Sequence, residues 1–136
     1  MRWLESVFGG EFILPEASID LRPEDTPTSE PEPDAFVLTI PYLELAHMAR
    51  ARPSQIRLIA EVSDSRLAFD LNTKARLYAR SAISEYWVLD IEGRRLIVHR
   101  DPVDGKYQSV RVYREDERLS PLAAPAAEVR VSEFLK

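Results

Sequence analysis

Between Ile56 and Asp90 the chain reads IRLIAEVSDSRLAFDLNTKARLYARSAISEYWVLD, and its hydrophobic period changes twice. Ile56–Val62 has strand length and composition, with early alternation passing into a continuous apolar run that Glu61 interrupts. Leu67, Leu71, Ala75, Tyr78 and Ala82 then recur every three or four residues, as one face of an amphipathic helix requires, and Ser65 is placed to cap it. Glu85–Ile91 returns to strand character. Two strands joined through a helix predict a parallel pair with a right-handed crossover. This unit restricts the fold class more than any other part of the chain.

The flanking segments extend a sheet. Ala35–Ile40 reads as a buried strand, after which Pro41 opens a helical segment Tyr42–Arg50 that Pro53 ends. Arg95–Arg100 and Tyr107–Tyr113 predict a hairpin about Asp104 and Gly105. Upstream, Trp3, Leu4, Val7 and Phe8 have the spacing of one or two anchoring helical turns. Phe12–Leu14 and Ile19–Leu21, interrupted by Pro15, read as an edge strand or short hairpin. Arg22–Asp34 is a Pro-rich loop, and Val129–Leu135 either closes the sheet or packs as a final turn. The expected class is α/β, with an α+β mixed sheet, in one domain spanning residues 1–136.

Composition narrows the function. No cysteine is present, which excludes thiolate zinc sites and cysteine nucleophiles and is compatible with a reducing cytoplasm, the expected location. No run of about 18 apolar residues occurs, so no membrane-spanning helix is expected. The net charge is −5, which argues against bulk electrostatic capture of nucleic acid, but the acidity is uneven. Residues 1–40 hold two basic and nine acidic residues, leaving 16 basic and 14 acidic in the remainder. Arg66, Arg76, Arg80, Arg94, Arg95 and Arg100 are the candidates for phosphate contacts.

Three polar positions on the strand–helix–strand frame need an explanation. Glu61 lies at the C-terminal end of its strand, where open α/β sheets build their sites, and Asp34 stands immediately before the neighbouring apolar strand. If those strands pair, two carboxylates converge into a hard, oxygen-rich site suited to magnesium. Asp70, Lys74 and Tyr78 follow at four-residue steps, drifting only about 40° per step, so Lys74 can point toward Glu61. Two carboxylates and an ammonium are the minimum parts for hydrolysing a phosphodiester. Taken singly, each also has an ordinary explanation. Asp34 suits a loop, Asp70 with Lys74 an exposed ion pair, and Glu61 a solvated edge strand. His47 and His99 read as surface or interface residues, and alternation sends one of Tyr86 and Trp87 inward.

Order adds what single positions lack. Glu32–Asp34, AEVSDSRLAFD at Ala60–Asp70, Lys74, LYAR at Leu77–Arg80 and EYWVLD at Glu85–Asp90 together resemble the Uma-two family. VHRDP at Val98–Pro102 and RLSPLA at Arg118–Ala123 fit the same pattern, so the resemblance runs from about Pro33 to Leu135. That family belongs to the restriction-endonuclease-like PD-(D/E)xK nucleases. The resemblance implies a core sheet flanked by helices and a hydrolytic site dependent on Mg2+, with Mn2+ as a substitute, acting on DNA. It matches Asp34 and Glu61 to metal-holding carboxylates, with the Val62 backbone carbonyl as a further ligand. Lys74 matches a helix-borne lysine replacing the one expected at Ser63, and Asp70 a supporting acidic residue. The short lead-in before Asp34 leaves no place for the N-terminal helix that such proteins pack on the sheet, so a homodimer covering that face is expected. The alternative is a catalytically inactive remnant that binds protein or nucleic acid.

Overall fold

A computed structural model of the chain describes residues 2–15, 35–39, 41, 43, 52–63 and 66–135. The Pro-rich segment with Asp34, the strand expected at Ile19–Leu21, most of the helix expected over 42–50, His47 and Ser65 lie outside the described residues.

Among the described residues six strands form one sheet in chain order: β1 (Ile13–Pro15), β2 (Ala35–Leu38), β3 (Ile56–Ser63), β4 (Glu85–Asp90), β5 (Arg95–Val103) and β6 (Lys106–Arg114). β3 and β4 pair in parallel, with Glu61 beside Val88, and the other neighbours pair antiparallel. The parallel pair is joined by the central helix over residues 67–80, as the change of period predicts. Pro53 opens a 3-10 turn, Pro53–Gln55, that leads into β3. At the hairpin tip Asp104 and Gly105 both have positive φ, 52° and 78°, the backbone of a two-residue primed turn.

Alternation along these strands divides two packed faces. Phe36, Ile59, Tyr86, Val88 and Ile97 pack with Tyr78 and Ile83 under the central helix. Val37, Leu58, Trp87, Leu96 and Val98 fill the opposite face. Each such side chain, fully buried, contributes roughly 1.5–3 kcal/mol of transfer free energy. Tyr86 and Trp87 are therefore both in the core, because the sheet is covered on both sides. The second face is covered by helix α1 (Arg2–Phe8) and the C-terminal 3-10 turn Val131–Leu135. Trp3 stacks near Trp87 at 6.3 Å between centroids, and Phe134 meets Trp3 edge-on at 5.6 Å. That covering corrects the expectation of a bare face, and with it goes the reason for expecting a second copy there. Val129–Arg130 pairs instead with Arg118–Leu119 in a separate two-stranded ribbon.

His99 is also a correction: it is buried at 3% exposure. Its Nδ1 lies 3.1 Å from the Tyr86 carbonyl, which fits an N–H donating to that oxygen. Burial lowers its pKa from the ordinary 6.5, against the opposing pull of that hydrogen bond. The unfolded chain therefore binds this proton first on acidification. The stabilisation should be complete above about pH 6.5 and decline as the pH falls from there toward the folded value. Thermal unfolding of wild type and His99→Gln from pH 8 to 5 should show a slope in the wild type that the variant lacks. Equal slopes would remove this assignment.

Candidate active site

Glu61 sits near the C-terminal end of β3, on the face turned to the central helix, and is 5% exposed. β3 is an interior strand, so the solvated edge-strand reading of Glu61 is wrong. Opposite it the helix changes form: Leu67–Phe69 is α-helical, Asp70–Lys74 makes a π turn, and Ala75–Arg80 resumes the α-helix. The Tyr86 hydroxyl donates to the Asp70 carbonyl at 3.0 Å, a side chain entering the helix ladder where the wide turn begins. In an α-helix each four-residue step drifts about 40°. A wider turn between Asp70 and Lys74 takes back part of that drift, so Asp70, Lys74 and Tyr78 all keep facing the sheet.

The result is a compact, buried cluster. Lys74 Nζ lies 3.1 Å from Glu61 Oε1 and 3.6 Å from Asp70 Oδ1, with Asp70 at 4% exposure. The Tyr78 hydroxyl donates to the same Glu61 oxygen at 3.4 Å. Burial first, and the Glu61 charge next, push the pKa of Tyr78 well above the usual tyrosine range, and the same causes act on Tyr86. Both phenols stay protonated and serve as donors. Asp70 and Lys74 are thus not an exposed ion pair.

Ser63, two residues beyond Glu61 in β3, is buried, and among the described residues its Oγ has no hydrogen-bond partner. Across the parallel register lies Asp90, whose carboxylate accepts from Arg95 Nε at 2.8 Å and from the Gly93 N–H at 3.1 Å. Burial pushes the Asp90 pKa up, yet these two donors prevail and hold it below its ordinary value. Gly93 is required for this contact, since a Cβ there would strike the Asp90 carboxylate.

Two buried carboxylates around one ammonium, with the Ser63 hydroxyl two residues along β3, form a hard oxygen set. Its chemistry fits magnesium or manganese better than zinc. Among the described residues no three His, Asp or Glu side chains form a metal-binding group. Asp34, which the sequence nominates to complete one, lies outside those residues, though β2 enters the sheet at Ala35 paired with Ala60, one position before Glu61. Val62 pairs with Leu89 in the parallel register.

The family whose sequence profile matches the chain is Uma2, described as "Putative restriction endonuclease", over residues 1–132. The chain belongs to the Uma2 family. A solved structure described as "a putative nuclease belonging to DUF820", from Anabaena variabilis ATCC 29413, matches with a TM-score of 0.68 at 11% identity. The match covers 98% of this chain and 74% of that one, and at such identity it shows a shared fold alone. No significant match occurs among curated proteins. The Uma2 match begins at residue 1, so the lead-in before Pro33, where the motif resemblance starts, also lies within the family's span. No helix among the described residues is long and apolar enough to cross a membrane.

Within this Uma2 chain the structure joins Glu61, Asp70 and Lys74, as the sequence predicts. It adds Tyr78, whose four-residue offset from Lys74 was the available signal, and Ser63. It removes Arg100 from the phosphate-binding candidates: that guanidinium is committed to Glu85 at 2.7 Å and to the Ser120 carbonyl at 2.7 Å.

Proposed function

We propose that this chain is a magnesium-dependent endonuclease that hydrolyses DNA phosphodiester bonds, manganese serving in place of magnesium. Glu61, Asp34 and the Val62 carbonyl would hold the cation. When bound, it would polarise a phosphoryl oxygen and lower the pKa of a water.

The observation that supports this reading is the convergence of Glu61, Lys74 and Asp70 beneath the π turn. Lys74 donates toward the Glu61 carboxylate and would orient the attacking water while countering charge that develops on the phosphate. Asp70, at 3.6 Å, holds the ammonium in place from the helix side. Tyr78 restrains the Glu61 carboxylate through its hydroxyl. π turns occur frequently at functional sites, and this one carries both the lysine and its supporting acid.

Supercoiled plasmid incubated with magnesium or manganese should be nicked by wild type. Glu61→Ala and Lys74→Ala should each lose activity by roughly 10²-fold or more. Cleavage that persists undiminished in either variant would overturn these roles. If wild type neither cleaves nor gains thermal stability with millimolar metal, the fold serves as a binding scaffold instead.

A further inference from the structure

Asn72 and Arg76 sit on a row of the central helix distinct from that of Asp70 and Lys74, and face β5 and β6 rather than β3. Between helix and hairpin lies a groove of about 380 Å³, lined by Arg76, Arg95, Lys106, Tyr107, Val110 and Val112 among others. A second depression is lined by Arg76, Arg80, Lys106, Gly105 and one carboxylate, Asp104. In a chain of net charge −5 this is a local concentration of cations.

The sheet register adds an independent observation. Arg95 of β5 stands directly opposite Arg114 of β6, so the two share a face. Like charges paired across strands destabilise a sheet unless something neutralises them. Asp90 takes Arg95, while among the described residues no carboxylate meets the side chains of Arg76, Lys106 or Arg114. The Arg95 end of the groove opens beside Asp90, whose register partner Ser63 is two residues from Glu61. The groove is not purely polar, since Val110 is 56% exposed and Val112 37%.

We propose that this groove seats the sugar-phosphate backbone of a nucleic acid strand, with Arg76 and Lys106 in the groove and Arg114 beyond its Arg95 end neutralising phosphates spaced along the strand, and the two valines flooring the sugars. The assignment rests on the nuclease reading and adds where the substrate runs. It makes the hairpin a binding element, its basic residues placed along one path that leads toward the Glu61 end of the sheet.

Fluorescein-labelled oligonucleotide, single-stranded and duplex, can be titrated with the full chain in chelator and followed by anisotropy between 50 and 200 mM salt. The triple variant Arg76→Ala/Lys106→Ala/Arg114→Ala should bind more than about tenfold more weakly, with the log–log salt slope reduced by about two to three. Arg111→Ala should bind as wild type does, because Arg111 lies against Tyr113 on the opposite face. Restoring Arg76 and Arg114 as lysines should recover binding, which separates charge from any folding defect. Unchanged binding by the triple variant, an equal loss in Arg111→Ala, or no binding by wild type would overturn the groove. Displacement by polyglutamate as effective as by unlabelled oligonucleotide would also overturn it, indicating an acidic protein partner. Failure of the nuclease reading shows separately, as plasmid cleavage indifferent to Glu61→Ala, and leaves groove binding intact.

Discussion

Glu85→Ala should cost about 3–5 kcal/mol of folding stability, because it removes one partner of a buried, hydrogen-bonded ion pair. Glu85 is 1% exposed at the start of β4. Its Oε2 accepts from Trp87 Nε1 at 2.8 Å and from Arg100 Nε at 2.8 Å, and its Oε1 accepts from the Leu122 N–H at 2.9 Å. Arg100, its register partner on β5, also donates to the Ser120 carbonyl. One carboxylate therefore joins β4, the hairpin and the Pro- and Ala-rich segment after β7 (Arg118–Leu119). Alanine leaves the guanidinium, the indole N–H and a backbone N–H without their acceptor in a site that water reaches poorly. Urea denaturation should show the loss, with a fall in Tm on the order of 10 °C or more. Glu85→Leu combined with Arg100→Met should recover much of it, since the lone charge is then gone. A loss under about 1 kcal/mol for Glu85→Ala would show that the clasp contributes little.

Glu85 also marks where the sequence stops being informative. Periodicity locates β3, β4, the central helix and the hairpin because it reports which residues share a face. It does not report whether a second element covers that face. His99 reads as a surface or interface residue for that reason, and alternation sends only one of Tyr86 and Trp87 inward; these residues and Glu85 are buried because α1 and Val131–Leu135 pack over one side of the sheet and the central helix over the other. The pairing of Glu61 with Lys74 was legible from two local facts, a carboxylate at a strand's C-terminal end and a lysine one helical turn beyond Asp70. The π turn that keeps Asp70, Lys74 and Tyr78 aligned was not. It coincides with a hydrogen bond from Tyr86, sixteen residues away, which no local pattern encodes. The cross-strand meeting of Arg95 and Arg114 depends likewise on hairpin register, and the irregularity at Asp101, with φ of 60°, precedes the turn that sets it.

Glu61, Asp70 and Lys74 lead to the second large effect. Lys74 is 13% exposed, and its ammonium is the cation that both carboxylates face. Lys74→Met keeps the stem and removes the charge, which should cost about 3–5 kcal/mol by leaving buried carboxylates without that partner. Glu61→Gln should cost less, and the double variant less than the sum, with a coupling of roughly 1–3 kcal/mol measurable in a double-mutant cycle. Magnesium separates a structural triad from a metal-holding one. A cation that binds only the folded state raises Tm by mass action, and removing the competing ammonium should raise its affinity. Lys74→Met should therefore gain more thermal stability from millimolar magnesium than wild type does, while losing cleavage. Glu61→Gln should gain little or none. If Glu61→Gln gains as much as wild type, Glu61 does not hold the metal and the triad serves the fold alone.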